Sequence, residues 1–394
     1  MLELAMLLGF AMAFAIGAND VANSMATAVG AKAITPKQAV FISGILEFLG
    51  AALFGSQVTK TIAKGIVHLE MIDSTEKILI GAMAALVAST VWIIFATIWG
   101  MPVSTTHSIV GGMIGFGIAA SGWHAVNWVK MGIIALTWVI SPLIGGAIAY
   151  GVFKLISVAI LHRKDPVKAS KMWTPILVGI AFYIVALLLG IKTFKLNLAN
   201  SNLLGITAGF AAYIVVLLYV RKFKVADPYD TVERIFRKVQ VVTSCYVSFS
   251  HGANDVANAV GPIALMYIIL KTGQTSGVIE IPKWLLAFGG FGISLGVALL
   301  GYRVMRTVGE GITELNNTRG FSIDFATATT VFIASFTGIP VSTTHTVVGA
   351  VTGVGLARGV EVVNVGILKN IIISWLVTVP FAAGVSAVIV MLFS

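Results

Sequence analysis

The chain has 394 residues, of which 58% are apolar and only 11% charged, and its mean hydropathy is +0.97. Soluble domains carry about a quarter charged residues, so these values exclude a soluble globular protein and place most of the length in lipid. The net charge of +10 points away from nucleic acid, because its densest basic runs are two short loops, 162–171 and 221–238, that read as a cytoplasmic rim.

Apolar runs of spanning length occur, in chain order, at 4–31, 38–59, 78–100, 131–153, 173–191, 203–220, 239–270, 284–302, 325–357 and 370–394. Runs of helical length, and not ten-residue alternating segments, predict helices instead of an outer-membrane barrel. The first run has no basic segment ahead of it and no convincing cleavage site, so it reads as a retained helix. Segment 103–120 adds either a further span or the return limb of a re-entrant hairpin. The sole cysteine, Cys245, excludes a disulfide framework and a thiolate metal cluster.

The first run contains Gly-Ala-Asn-Asp-Val-Ala-Asn at 17–23, and the same heptapeptide returns at 252–258. A second string, Pro-Val-Ser-Thr-Thr-His, stands at 102–107 and again at 340–345. Around them Leu49, Gly50 and Gly55 match Leu295, Gly296 and Gly301, and Val110, Gly111 and Pro142 match Val348, Gly349 and Pro380, each set at one constant offset. A duplication accounts for this, with residues 1–160 as the first repeat, 161–238 as a connecting helical pair with basic loops, and 239–394 as the second repeat. The basic loops lie two spans apart and so share the cytoplasmic side. Counting outward puts both termini outside a multi-pass protein of the cell (plasma or inner) membrane. An odd number of crossings separates the two Asn-Asp strings, which predicts two inverted-topology repeats, about 12 membrane segments in all, with a site near the midplane as in secondary transporters.

An intramembrane Asp is costly and by default functional. Gly, Asn and Asp are poor helix interiors, so both strings predict broken helices whose freed carbonyls join Asn19, Asp20, Asn23, Asn254, Asp255 and Asn258 in a hard-oxygen cage suited to sodium. For the Asn residues the plainer alternative is glue between helices. The hairpin-like Ser/Thr turns carry Ser104, Thr105 and Thr106 in one half and Ser342, Thr343 and Thr344 in the other. Proline in a first helical turn, exposed N–H groups and the macrodipole favour an oxyanion there, the alternative for a single string being an ordinary N-cap. His107, His345 and His251 read as structural residues, or as groups that titrate or contact the anion. Glu47 stands alone in its run and is the better functional candidate; Asp324 opens the helix before Pro340, near the interface as a cap or as a second coupling carboxylate.

These paired strings closely resemble the inorganic phosphate transporter (PiT) family, over nearly the whole chain. The resemblance implies secondary active uptake of inorganic phosphate, with both Asp residues essential and the Ser-Thr turns at the phosphate site. It implies sodium as the co-transported cation, since Glu47 falls where sodium-coupled relatives carry a carboxylate and Asp324 where they carry Glu. The expected protein is therefore a symporter and not an enzyme, with no organic cofactor, partnered by inorganic phosphate, sodium and the lipid bilayer, and compatible with a homodimer. The alternatives are a proton-coupled phosphate or metal-phosphate transporter, a sulfate permease, an ion channel and an intramembrane phosphohydrolase. The last is weakened by the absence of Gly-x-x-x-x-Gly-Lys-Ser/Thr and His-Glu-x-x-His patterns.

Overall fold

A computed structural model describes residues 1–224, 227–273, 280–302, 305, 315–359 and 365–394. Thirteen α-helices order these residues: α1 (Leu2–Gly30), α2 (Pro36–Phe54), α3 (Ser56–Lys64), α4 (Thr75–Ile98), α5 (Thr105–Ser121), α6 (Trp128–Ile156), α7 (Pro166–Lys192), α8 (Leu198–Arg221), α9 (Pro228–Thr272), α10 (Lys283–Leu300), α11 (Asn317–Thr337), α12 (Thr343–Arg358) and α13 (Val365–Phe393). The starts follow local chemistry. Thr35 and Gln38 close a capping box ahead of Pro36, and Asp165 and Asp227 cap helices whose first residue is proline. Gly273 and Gly338, both at positive φ, end α9 and α11.

Among the described residues nine helices are long and apolar enough to cross a membrane, so the chain is a multi-pass, all-helical membrane protein. The short α5 and α12, of 17 and 16 residues, return from longer helices as hairpin limbs. Two apolar runs prove composite: 325–357 is cut at Gly338 and Pro340 into α11 and α12, and 38–59 is cut at Gly55 into α2 and α3.

The expected breaks at the Asn-Asp strings are absent. Helix α1 runs unbroken through 17–23, and α9 runs unbroken for 45 residues through 252–258. Their glycines serve a close approach instead of a kink. A Cβ on Gly17 would overlap the carbonyl of Ile293 on α10, and one on Gly252 would overlap the carbonyl of Glu47 on α2. The approach is reciprocal, since Gly296 lies on the Phe14 carbonyl and Gly50 on that of Phe249. Polar side chains do not unwind these helices, because partners on other segments occupy them and leave the backbone ladder intact.

The closest crossings of this kind join the first part of the chain to the last. Gly111 and Gly115 of α5 meet the backbone of Val379 and Ala383 on α13, while Gly349 and Gly353 of α12 meet that of Pro142 and Gly146 on α6. The two sets of matched helices therefore interlock. The pair α7 and α8 packs on itself, Gly179 against Gly209 and Gly190 against Ser201.

Candidate functional site

The interlocked crossings bring both Asn-Asp strings and both Ser-Thr turns into one buried cluster. Asp20, Asp255 and Asn258 have no exposed surface, and Thr105, Thr106, Thr343 and Thr344 have almost none. Because the helices are continuous, the polar atoms here are side chains and not freed carbonyls. Thr105 donates to Asp20 Oδ2 at 2.7 Å, and Thr343 donates to Asp255 Oδ2 at 3.1 Å. Across the halves, Asn23 Nδ2 donates to Thr344 at 2.9 Å and Asn258 Nδ2 to Thr106 at 3.2 Å. The same amides reach Asp20 Oδ1 at 2.9 Å and Asp255 Oδ1 at 3.3 Å.

Each turn is held from both sides. Ser104 and Ser342 act as N-caps, accepting the backbone N–H of His107 and of His345, each at 3.2 Å, as the cap alternative expects for these residues. Thr106 donates to the Val341 carbonyl and Thr344 to that of Val103, tying the turns to one another. Asn19 is wholly used as a brace: Nδ2 donates to Thr97 and the Met101 carbonyl, and Oδ1 accepts from Val103 N–H. Asn254 donates to the Val341 carbonyl and accepts from Ser335. By contrast, Asn258 Oδ1 is buried with no hydrogen-bond partner.

His251 is the residue that sequence reasoning undervalued. Its Nε2 lies 2.8 Å from Asp255 Oδ2 and 3.6 Å from Asp20 Oδ2, and its Nδ1 lies 3.1 Å from Glu47 Oε2. One imidazole thus stands among three fully buried carboxylates. Ligating atoms of Asp20, His251 and Asp255 fall within 4.8 Å of one another. A signal existed in the repeats: the first string is preceded by Ile16 where the second has His251, and Glu47 aligns with Ile293, so both members of the pair change together.

Glu47 is therefore not alone; its Oε1 also accepts from Ser43 at 2.6 Å and Ser24 at 3.2 Å. Asp324 is not a cap. Helix α11 starts at Asn317, and Asp324 lies two turns in, buried, accepting from Thr27 at 2.6 Å and Ser244 at 2.5 Å. His107 and His345 stay with the structural reading. Their rings meet edge to face at 4.3 Å and pack on Trp138 and Trp375, and His345 Nδ1 contacts the Trp138 carbonyl.

An enclosure of carboxylates, amides and hydroxyls with two helix N-termini at its edge suits hard cations beside an oxyanion. Among the described residues none of the side chains that contact Asp20 or Asp255 is Lys or Arg, so helix ends, the His251 imidazole and bound cations are the available sources of positive potential.

Comparison with known proteins agrees in kind. Residues 16–386 match the phosphate transporter family. A protein of Pyrococcus furiosus that carries the name phosphate permease is 54% identical over 99% of this chain and 95% of its own length. The chloroplastic inorganic phosphate transporter 2-1 of Arabidopsis thaliana is 40% identical, over 99% of this chain and 71% of the relative. A solved structure described as the sodium-dependent phosphate transporter superposes with a TM-score of 0.96 at 55% identity, covering 99% of this chain and 98% of the other.

Proposed function

The chain belongs to the phosphate transporter family and is a phosphate transporter rather than an enzyme, and from that premise we propose that it is a symporter that imports inorganic phosphate with sodium. One observation carries the reading. The buried hydroxyls of Thr105 and Thr343 donate to Asp20 and Asp255. A sodium ion claiming a carboxylate frees its threonine hydroxyl to donate to phosphate. Cations load first, and their charge then offsets that of the anion. Buried carboxylates demand such partners, since an unpaired charge in a low-dielectric interior is costly.

In this reading Asp20, Asp255, Asn23 and Asn258 hold sodium, with Asn19 and Asn254 fixing the turns around them. Ser104, Thr105, Thr106, Ser342, Thr343 and Thr344 hold phosphate, and Glu47 and Asp324 couple cation movement to it. The repeats at 1–160 and 239–394 are inverted, and both termini lie outside. The reciprocal crossings support a shared ancestry of the halves, and because they join one half to the other they argue against either half rocking as a rigid body. The moving bodies combine helices from both. Self-association into a homodimer is compatible with the lipid-facing surface. The name of the 55% identical neighbour supports sodium over protons.

The test is uptake of labelled phosphate into proteoliposomes. An inward sodium gradient should drive accumulation, and unlabelled sulfate should compete poorly. Uptake indifferent to sodium that follows an inward proton gradient instead would overturn the coupling and leave phosphate transport intact.

A further inference from the structure

A column of polar side chains leads away from the paired Asp residues on one side. Beyond His251, Glu47 is met by Ser43 and Ser24, and Ser248 donates to Ser43 at 3.3 Å. One turn further along α1 and α9, Thr27 and Ser244 reach Asp324. The column thus runs toward the C-terminal end of α1 and the N-terminal end of α9, beside the basic loop that precedes Pro228. Gln240 continues it on α9, lying against Gly320 one turn before Asp324. Both amide atoms of Gln240 and Thr327 Oγ1 are buried without hydrogen-bond partners. Buried polar atoms left unmatched in this way call for guests, water or ions, among them.

The repeat supplies a control within the same molecule. Aligned through the Asn-Asp strings, His251, Ser248 and Ser24 correspond to Ile16, Ala13 and Ala259. On the neighbouring helices Glu47, Ser43 and Asp324 correspond to Ile293, Gly289 and Leu86. Each of these six polar side chains has an apolar counterpart, whereas Thr327 corresponds to Ser89. Those counterparts are packed, not merely greasy: Ala13, Ile16, Ala259, Ile293 and Leu86 have no exposed surface and belong to the main apolar core.

We propose that the column is a one-sided passage for monovalent cations between the paired-Asp enclosure and the face bearing the basic loops, and that its repeat-related counterpart is a permanent seal. The lining selects its traffic. Hydroxyls and two carboxylates replace part of a cation's hydration shell, while the same carboxylates repel phosphate, so the cation leaves by a route the anion does not share. The proposal rests on the symport reading for the identity of the cation, but not for the passage itself.

Thiol accessibility tests it, because replacing the single cysteine as Cys245→Ala gives a silent parent. In that parent, Ser24→Cys, Ser43→Cys and Ser248→Cys in membrane vesicles should react with an impermeant methanethiosulfonate added from the basic-loop face and not from the other. Sodium should slow the reaction, and phosphate alone should not. Ala13→Cys and Ala259→Cys should stay unreactive from both faces, with or without sodium and phosphate, and react fully once denatured. Labelling at either alanine position in the folded protein, or silence at all three serine positions, overturns the proposal. Loss of sodium-driven uptake in the parent would count against the symport reading alone, since labelling requires no transport.

Discussion

Asp20→Asn and Asp255→Asn are each expected to leave a folded protein that no longer accumulates phosphate. The amide keeps the shape of the carboxylate and can still accept from Thr105 or Thr343, so packing survives. What disappears is the charge that binds a cation in a fully buried enclosure. Removing one member of a buried charged set costs about 3–5 kcal/mol. On a cation affinity that is about two to nearly four orders of magnitude. The readouts are uptake in proteoliposomes and the shift of thermal unfolding by sodium, which should shrink in both variants. Normal uptake by either one would reduce its carboxylate to a packing element.

Gly17→Ala and Gly252→Ala are expected to fail at folding, before transport is reached. In each case the new methyl group meets a backbone carbonyl, Ile293 or Glu47, which cannot rotate away as a side-chain tip would. Overpacking against backbone costs upwards of about 3 kcal/mol, and here it also forces apart the crossings that assemble the site. Gly132→Ala and Gly151→Ala, where nothing lies within 4 Å, should change stability by less than about 1 kcal/mol and in the favourable direction, because alanine is the better helix former. Melting of the detergent-solubilised variants separates the two classes. A mild effect at 17 and 252 would restore the view that these glycines exist to kink a helix.

The helical membrane fold was legible because composition and run length are set by the bilayer, whatever the packing. The site strings were legible because each occurs twice, and an Asp inside an apolar run has few structural uses. The continuity of α1 and α9 was not. Helix propensity describes an isolated backbone, whereas here Asn19 braces the Val103 turn and Asn254 the Val341 carbonyl, so neither side chain competes for its own helix. The position of Asp324 was misjudged for a related reason, since the cap of α11 is Asn316, whose side chain accepts from Arg319 N–H.

The sequence by itself determined a polytopic helical protein, its duplicated strings and the oxygen-rich chemistry of their side chains, because those follow from residue type, length and repetition. Only the tertiary structure decided that α1 crosses α10 while α2 crosses α9, that His251 stands among Asp20, Asp255 and Glu47, and that the polar column has an apolar twin. Such pairings join residues far apart along the chain. They are fixed by which backbones can approach where a side chain is missing, a steric fact that exists only between helices.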